Sequence, residues 1–146
     1  MHPLLQVLKV TWSQEAINLE RIRMEVFVEE QGVPRDIEMD DRDALCQHVL
    51  ARVDSKLVGT GRIDLKHGGK IGRVAVLADY RGQGIGQAIM KALEIIALET
   101  NLTEVWLNAQ CKALGFYSNL GYREEGPEFM EAEIPHRKMV KSLSYR

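Results

Sequence analysis

The stretch from Ile71 to Ile96 constrains this chain more than any other. Ile71 to Leu77 suits a short strand, glycines follow at 82, 84 and 86, and Ile85, Ile89, Leu93 and Ile96 then recur at helical spacing. A strand, a glycine turn and a helix in direct succession make up half of a crossover unit. Val105, Leu107 and Ala109 alternate with Trp106, Asn108 and Gln110 and supply its second strand, which must run parallel to the first once a helix has intervened.

Upstream, Leu4 to Thr11 reads as a first strand. Ser13 is placed to cap a helix whose Leu19, Ile22 and Val26 share a face, and Gly32 and Pro34 stop it. Pro34 to Asp43 is acidic and aperiodic and reads as an exposed loop. His48 to Val53 and Leu57 to Leu65 pair as a hairpin around Asp54-Ser55-Lys56, and His67-Gly68-Gly69 turns the chain again. Downstream, Ala113, Phe116, Tyr117 and Leu120 mark a last helix capped at Gly121, Tyr122 begins a tail, and Arg137 to Leu143 forms a final strand after a Pro135 turn. Hairpins first and a crossover later predict one α/β domain over residues 1–146, a mixed sheet with helices on both faces.

A formal net charge of -2 spread along 146 residues gives no basic field for nucleic acid. The only cysteines, Cys46 and Cys111, form neither a disulfide framework nor, with any nearby histidine, a zinc site, so no metal is expected and a cytoplasmic setting fits. Met1 to Lys9 lacks the features of a secretion signal, and charges interrupt every apolar run before the roughly 20 residues a membrane helix needs.

The glycines carry the chemistry. Gly82, Gly84 and Gly86 let the backbone turn tightly so that successive N–H groups converge on an anion at a helix N-terminus, and a pyrophosphate is the natural guest. A P-loop would need Gly-Lys-Ser/Thr where Gly86 is followed by Gln87 and Ala88, and a dinucleotide fingerprint would need glycine at Gln87. A turn without a ligand is the remaining alternative on the glycines alone.

Arg81 ahead of Gly82-Gln83-Gly84-Ile85-Gly86, directly after a strand, resembles the acetyl-CoA-binding motif of the GNAT superfamily of N-acetyltransferases. The similarity continues at Leu107 to Gln110 and at Phe116-Tyr117-Ser118-Asn119-Leu120-Gly121-Tyr122. Arg23 to Pro34 with Glu38, Asp40 and Asp43, together with Pro135-His136 and Met139, resembles the ElaA/YjcF-like branch, so the likeness covers nearly the whole chain. The resemblance implies a GNAT fold: one mixed, mostly antiparallel sheet splayed where acetyl-CoA binds.

It further implies that pantetheine lies in the splay against the backbone of Val74, Ala75 and Val76, with the phosphates on Arg81 to Gly86 and with Asn108, Phe116 and Tyr117 completing the cofactor wall. A backbone N–H near Val76 would polarise the thioester carbonyl, worth on the order of 3 kcal/mol. Tyr117 matches the family's general acid for the leaving thiolate, with a packing role as its alternative. The acceptor is a small primary amine attacking directly in a ternary complex, which needs a base. Glu29, Glu30 and Glu38 are candidates, and Glu29, Glu30, Asn108 and His136 are the candidate acceptor contacts. Acids between Glu29 and Asp43 point weakly to a cationic acceptor. Cys111 receives no catalytic role, and Trp12 and Trp106 read as packing residues. A homodimer is one option for assembly. The competing function is a non-catalytic acetyl-CoA sensor.

Overall fold

The computed structural model describes residues 4–144; the part of the N-terminal reading that falls on residues 1–3 lies outside them. The strands are β1 (Leu5–Val10), β2 (Gln47–Val53), β3 (Lys56–Asp64), β4 (Lys70–Val76), β5 (Glu104–Gln110), β6 (Arg123–Glu131) and β7 (Ile134–Ser142). The helices are α1 (Trp12–Arg23), α2 (Arg35–Glu38), α3 (Ile85–Glu99) and α4 (Leu114–Asn119), and α1 runs on as a π-helical segment, Met24–Glu30. One sheet has the order β1-β2-β3-β4-β5-β7-β6. Every neighbouring pair is antiparallel except β4 and β5.

Two apolar layers hold the helices on opposite faces. Ile85, Ile89, Met90, Leu93, Ile96 and Ala97 of α3 are buried with Val105, Leu107 and Ala109 of β5 and Ile71 of β4. Each such side chain removed from water contributes about 1.5–3 kcal/mol. The other face is thinner in apolar groups: Leu19, Ile22 and Val26 pack on Leu50 and Ala75. That face completes its interior with charges, described below.

Four expectations need correction. The N-cap of α1 is Thr11, not Ser13: its extended backbone and its hydroxyl, accepting from the Gln14 N–H at 3.3 Å, satisfy an otherwise orphaned donor. The stretch from Pro34 to Asp43 is not an exposed loop, because it contains α2 and buries Glu38 and Asp43 to 3% and 2% exposure. The segment after Tyr122 is a strand rather than a tail. And Pro135 lies inside β7, while the turn belongs to Ala132 and Glu133, both at positive φ (50° and 62°). In that hairpin Glu131 pairs Ile134, so Met130 and Pro135 form the next, non-hydrogen-bonded pair. Pro135 also lies beyond Gln110, where the β5 ladder ends, so its missing N–H costs no sheet bond.

Candidate active site

The parallel pair β4–β5 is bonded only through Lys70↔Trp106 and Ile71↔Leu107. Beyond Ile71 and Leu107 the strands part. A bulge helps to part them: on β3, Gly61 alone separates Thr60 from Arg62, while on β4 two residues, Arg73 and Val74, separate Ala75 from Gly72. Arg73 takes the positive φ of 52° that re-aims the strand. The resulting cleft has a volume of about 710 Å³ and is lined by Gly72 to Val76 on one side and by Asn108, Gln110, Phe116 and Tyr117 on the other. The Leu77 N–H donates to Val58 O at 2.9 Å, so ladder alternation turns the N–H of Val76 away from β3 and toward this opening.

The glycine loop leads straight from β4 into α3. Gly82 and Gly84 hold φ of 76° and 81°, which other L-residues reach only with strain, and Gly84 caps α3 without any side-chain bond to its first amides. At Gly86 an added Cβ would stand 3.1 Å from the Phe116 ring, so this glycine lets α3 close against α4. Arg81 does not point freely outward: its Nε donates to Val76 O at 2.9 Å and its two terminal nitrogens meet Glu30 at 2.7 Å each. The guanidinium bonded to Glu30 holds that carboxyl below its ordinary range.

Three acids of the stretch after Glu30, namely Glu38, Asp40 and Asp43, are paired with arginines from elsewhere. Arg23 meets Glu38 (2.7 Å) and Asp43 (2.8 Å), Arg73 meets Glu38 (3.1 Å) and Asp40 (3.3 Å), and Arg62 meets Asp40 (2.8 Å) and Asp43 (2.8 Å). These contacts close a six-membered ring in which cations and anions alternate. Arg42 adds a further pair with Asp64 at 2.8 Å. Burial pushes the Glu38 carboxyl up, against the opposing pull of Arg73 and Arg23. Asp40, with burial also acting against it, is nevertheless drawn down to about 2 by its bonds to Arg62 and by Arg73.

Tyr117 and Phe116 meet edge to face at 5.0 Å, and Tyr117 meets Tyr122 in the same way at 5.9 Å. Burial pushes the Tyr117 phenol up to about 12, so it carries its proton at neutral pH. Asn108 is half-buried and lines the cleft. His136 also lines it, opposite Gln110 in the β5–β7 ladder, and so does Glu38. Glu29 is exposed and is not among the lining residues. The structure thus gathers Val74 to Val76, Arg81, Asn108, Phe116, Tyr117, Glu30, Glu38 and His136 around one cleft, and leaves Glu29 off it.

Sequence reasoning missed Arg62, Arg73, Gln31, Gln110 and Glu131, all of which line the cleft. Gln110 Nε2 donates to Gln31 Oε1 at 2.8 Å and ties the tip of β5 to the end of the π-helical segment. A usable signal existed for Arg62: a cation between Gly61 and Ile63, inside a strand whose Val58 and Ile63 suit burial, calls for an acidic partner, and the acidic stretch was an available source.

A splayed parallel pair, a glycine-rich turn at the start of the crossover helix and a phenol at the mouth of the splay define an acyltransferase of the GNAT class. The profile described as "Acetyltransferase (GNAT) domain" matches residues 11–143, and the chain belongs to that family. Its place is in the ElaA/YjcF-like branch. It is 43% identical over 122 residues to the uncharacterized N-acetyltransferase YjcF of Bacillus subtilis (strain 168), covering 82% of this chain and 87% of that protein. The crystal structure of Escherichia coli ElaA superposes with a TM-score of 0.82 at 29% identity, covering 93% of this chain and 99% of that one. An acyl-CoA N-acyltransferase from Pseudomonas aeruginosa superposes with a TM-score of 0.79 at 28% identity, covering 94% and 99%. Among the described residues no helix is long and apolar enough to cross a membrane.

Proposed function

We propose that this protein, as one domain, transfers an acetyl group from acetyl-CoA to a primary amine of a small molecule by direct attack in a ternary complex. The observation that carries this reading is the parting of β4 from β5 immediately beside the glycine loop, with the Val76 N–H turned into the gap. The residues present fit a coenzyme A thioester. Amides from Gly82 to Gly86 at the start of α3 bind the pyrophosphate, and the backbone groups of Val74 to Val76 that β4 turns away from β3, the Val76 N–H among them, receive the pantetheine amides as a strand edge would.

The Val76 N–H stabilises the oxygen of the thioester carbonyl as negative charge develops on it, on the order of 3 kcal/mol for such a donor. Tyr117 supplies the proton that the departing thiolate takes up, a role its protonated phenol in the cleft supports. Asn108 and Phe116 form the wall beside it. Glu30 holds Arg81 against the loop rather than contacting the acceptor, and Glu38, with both oxygens on guanidinium groups, braces the opposite wall. Glu38, Asp40 and Asp43 are each paired with arginine, so these three acids lend no support to a cationic acceptor.

Two measurements test the reading together. Acetyl-CoA at about 100 times its Kd should add roughly 2.7 kcal/mol of stability, seen as a rise in melting temperature. Release of free coenzyme A should then depend on one or more members of a panel of amines. Absence of a thermal shift at saturating acetyl-CoA would remove the donor assignment. A shift without turnover on any amine would favour a cofactor sensor, against which the phenol of Tyr117 in the cleft argues.

A further inference from the structure

His136 is 6% exposed and sits near the β6–β7 turn, facing Gln110 across the ladder. Its Nδ1 lies 2.7 Å from the Ile134 carbonyl oxygen. A carbonyl only accepts, so Nδ1 carries the hydrogen and the neutral ring keeps its lone pair on Nε2. Nε2 in turn stands 3.5 Å from Glu131 Oε2. The Phe129 ring stacks on the imidazole at 5.9 Å with 23° between planes, which fixes its orientation. His136, Glu131 and Ile134 all line the cleft. One nitrogen is therefore committed to the backbone, and the other is a proton-accepting atom with a carboxylate beside it to stabilise the imidazolium.

The two faces of the sheet supply the rest. Tyr117 packs with the α3-side cluster. Ala109 is buried in that same cluster, so strand alternation puts its neighbour Gln110, and with it His136, on the opposite face. The gap between β4 and β5 joins the two faces, so a reacting carbonyl held there would have the phenol on one side and the imidazole on the other. Neither Glu30, bonded to Arg81, nor Glu38, in the ring, has a comparable uncommitted acceptor atom, and Glu29 is off the cleft.

We propose that His136 is the general base that takes the proton from the acceptor amine, with Glu131 as its positioning residue. The inference rests on the acetyl-transfer reading and deepens it. An amine arriving as an ammonium gives one proton to Nε2, which passes it to water. Its nitrogen then bonds to the thioester carbon, the C–S bond breaks, the nitrogen loses its surplus proton to Nε2, and the thiolate takes the Tyr117 proton. Water reprotonates Tyr117 and accepts the second proton from His136, so the net products are amide, thiol and one proton. The charged group touching the ring is Glu131. Lys138, two positions along β7, is directed to the Trp106 ring (5.1 Å) and Glu125 (3.5 Å), and Lys112 and Arg81 line the same cleft. The facing groups on β5 and the π-helical segment, Gln110 and Gln31, do not titrate.

The test measures kcat/KM for the best amine of the panel against pH. His136→Gln should lose about 100-fold near neutral pH while binding acetyl-CoA as before, and should recover as rising pH deprotonates the amine in solution. Glu131→Gln, at an exposed position that folding tolerates, should lower kcat/KM by about 10-fold near neutral pH with acetyl-CoA affinity unchanged, the loss again shrinking as rising pH deprotonates the amine in solution. If His136→Gln does not fold, the Glu131→Gln profile decides the matter. Turnover by His136→Gln within about threefold of wild type, a rate loss independent of pH, or a Glu131→Gln profile that matches wild type at every pH would each overturn the proposal. Wild-type silence on every amine would strike the acetyl-transfer reading itself and this inference with it.

Discussion

The two walls of the cleft both carry ionisable side chains, and they use them in opposite ways. On the wall built from α1, α2, β3 and the β4 bulge, Arg23, Glu38, Arg73, Asp40, Arg62 and Asp43 pair with one another in a closed ring, in which the buried Arg73 Nε faces Glu38 without a hydrogen bond. On the wall built from β6 and β7, His136 has Nδ1 committed to the Ile134 carbonyl, and its Nε2 lies 3.5 Å from Glu131 without a hydrogen bond to it. Charge density alone would have placed the chemistry on the first wall. Partner accounting favours the second for the proposed proton transfer, because the carboxylates of the first wall are held by guanidinium groups while the neutral imidazole keeps a lone pair on Nε2.

If this division is right, the first wall controls stability and the gap beside the second controls rate. Arg62→Met tests it with the largest expected effect. Removing a guanidinium that is 11% exposed leaves Asp40 and Asp43 short of a counter-ion, and losing one partner of a buried pair typically costs about 3–5 kcal/mol. Chemical denaturation should show that loss, and a change below about 1 kcal/mol would mean that the ring is not what holds this wall.

Tyr117→Phe probes the rate side. Losing the proton donor should lower kcat by about 100-fold, equivalent to roughly 2.7 kcal/mol, with acetyl-CoA affinity nearly unchanged. Equal losses in affinity and in kcat would reduce Tyr117 to a packing residue and blur the contrast. The smallest effect concerns acid. Asp40 is drawn down to about 2 from an ordinary 3.8, so its contribution is present above pH 4 and is lost as pH falls from about 4 toward 2. The amount is on the order of 1–2 kcal/mol, and Asp40→Asn should flatten that part of the stability curve.

Most of the α3 side could be read directly. Ile85, Ile89, Leu93 and Ile96 are all buried as their spacing required, and Val105, Leu107 and Ala109 all face inward. Both periods survive because one face of each element is dry and the other wet. β6 escaped notice because every residue but Phe129 is exposed, so no alternation was written into it, and the turn into the final strand was misplaced by two residues because proline was read as a stop. The glycine loop was legible since positive φ leaves few residue choices. The acceptor side was not, since the ring pairs residues 15 to 35 positions apart, and no local pattern reports on partners that distant.

By itself, the order of residues determined the crossover unit, the glycine turn and the family, all of which rest on local spacing and on backbone conformations that only certain side chains permit. Which acids are silent and which imidazole nitrogen is open was decided only when seven strands were brought side by side. Reactivity of an ionisable group depends on what lies within about 4 Å of it, and in this chain those neighbours come from remote segments.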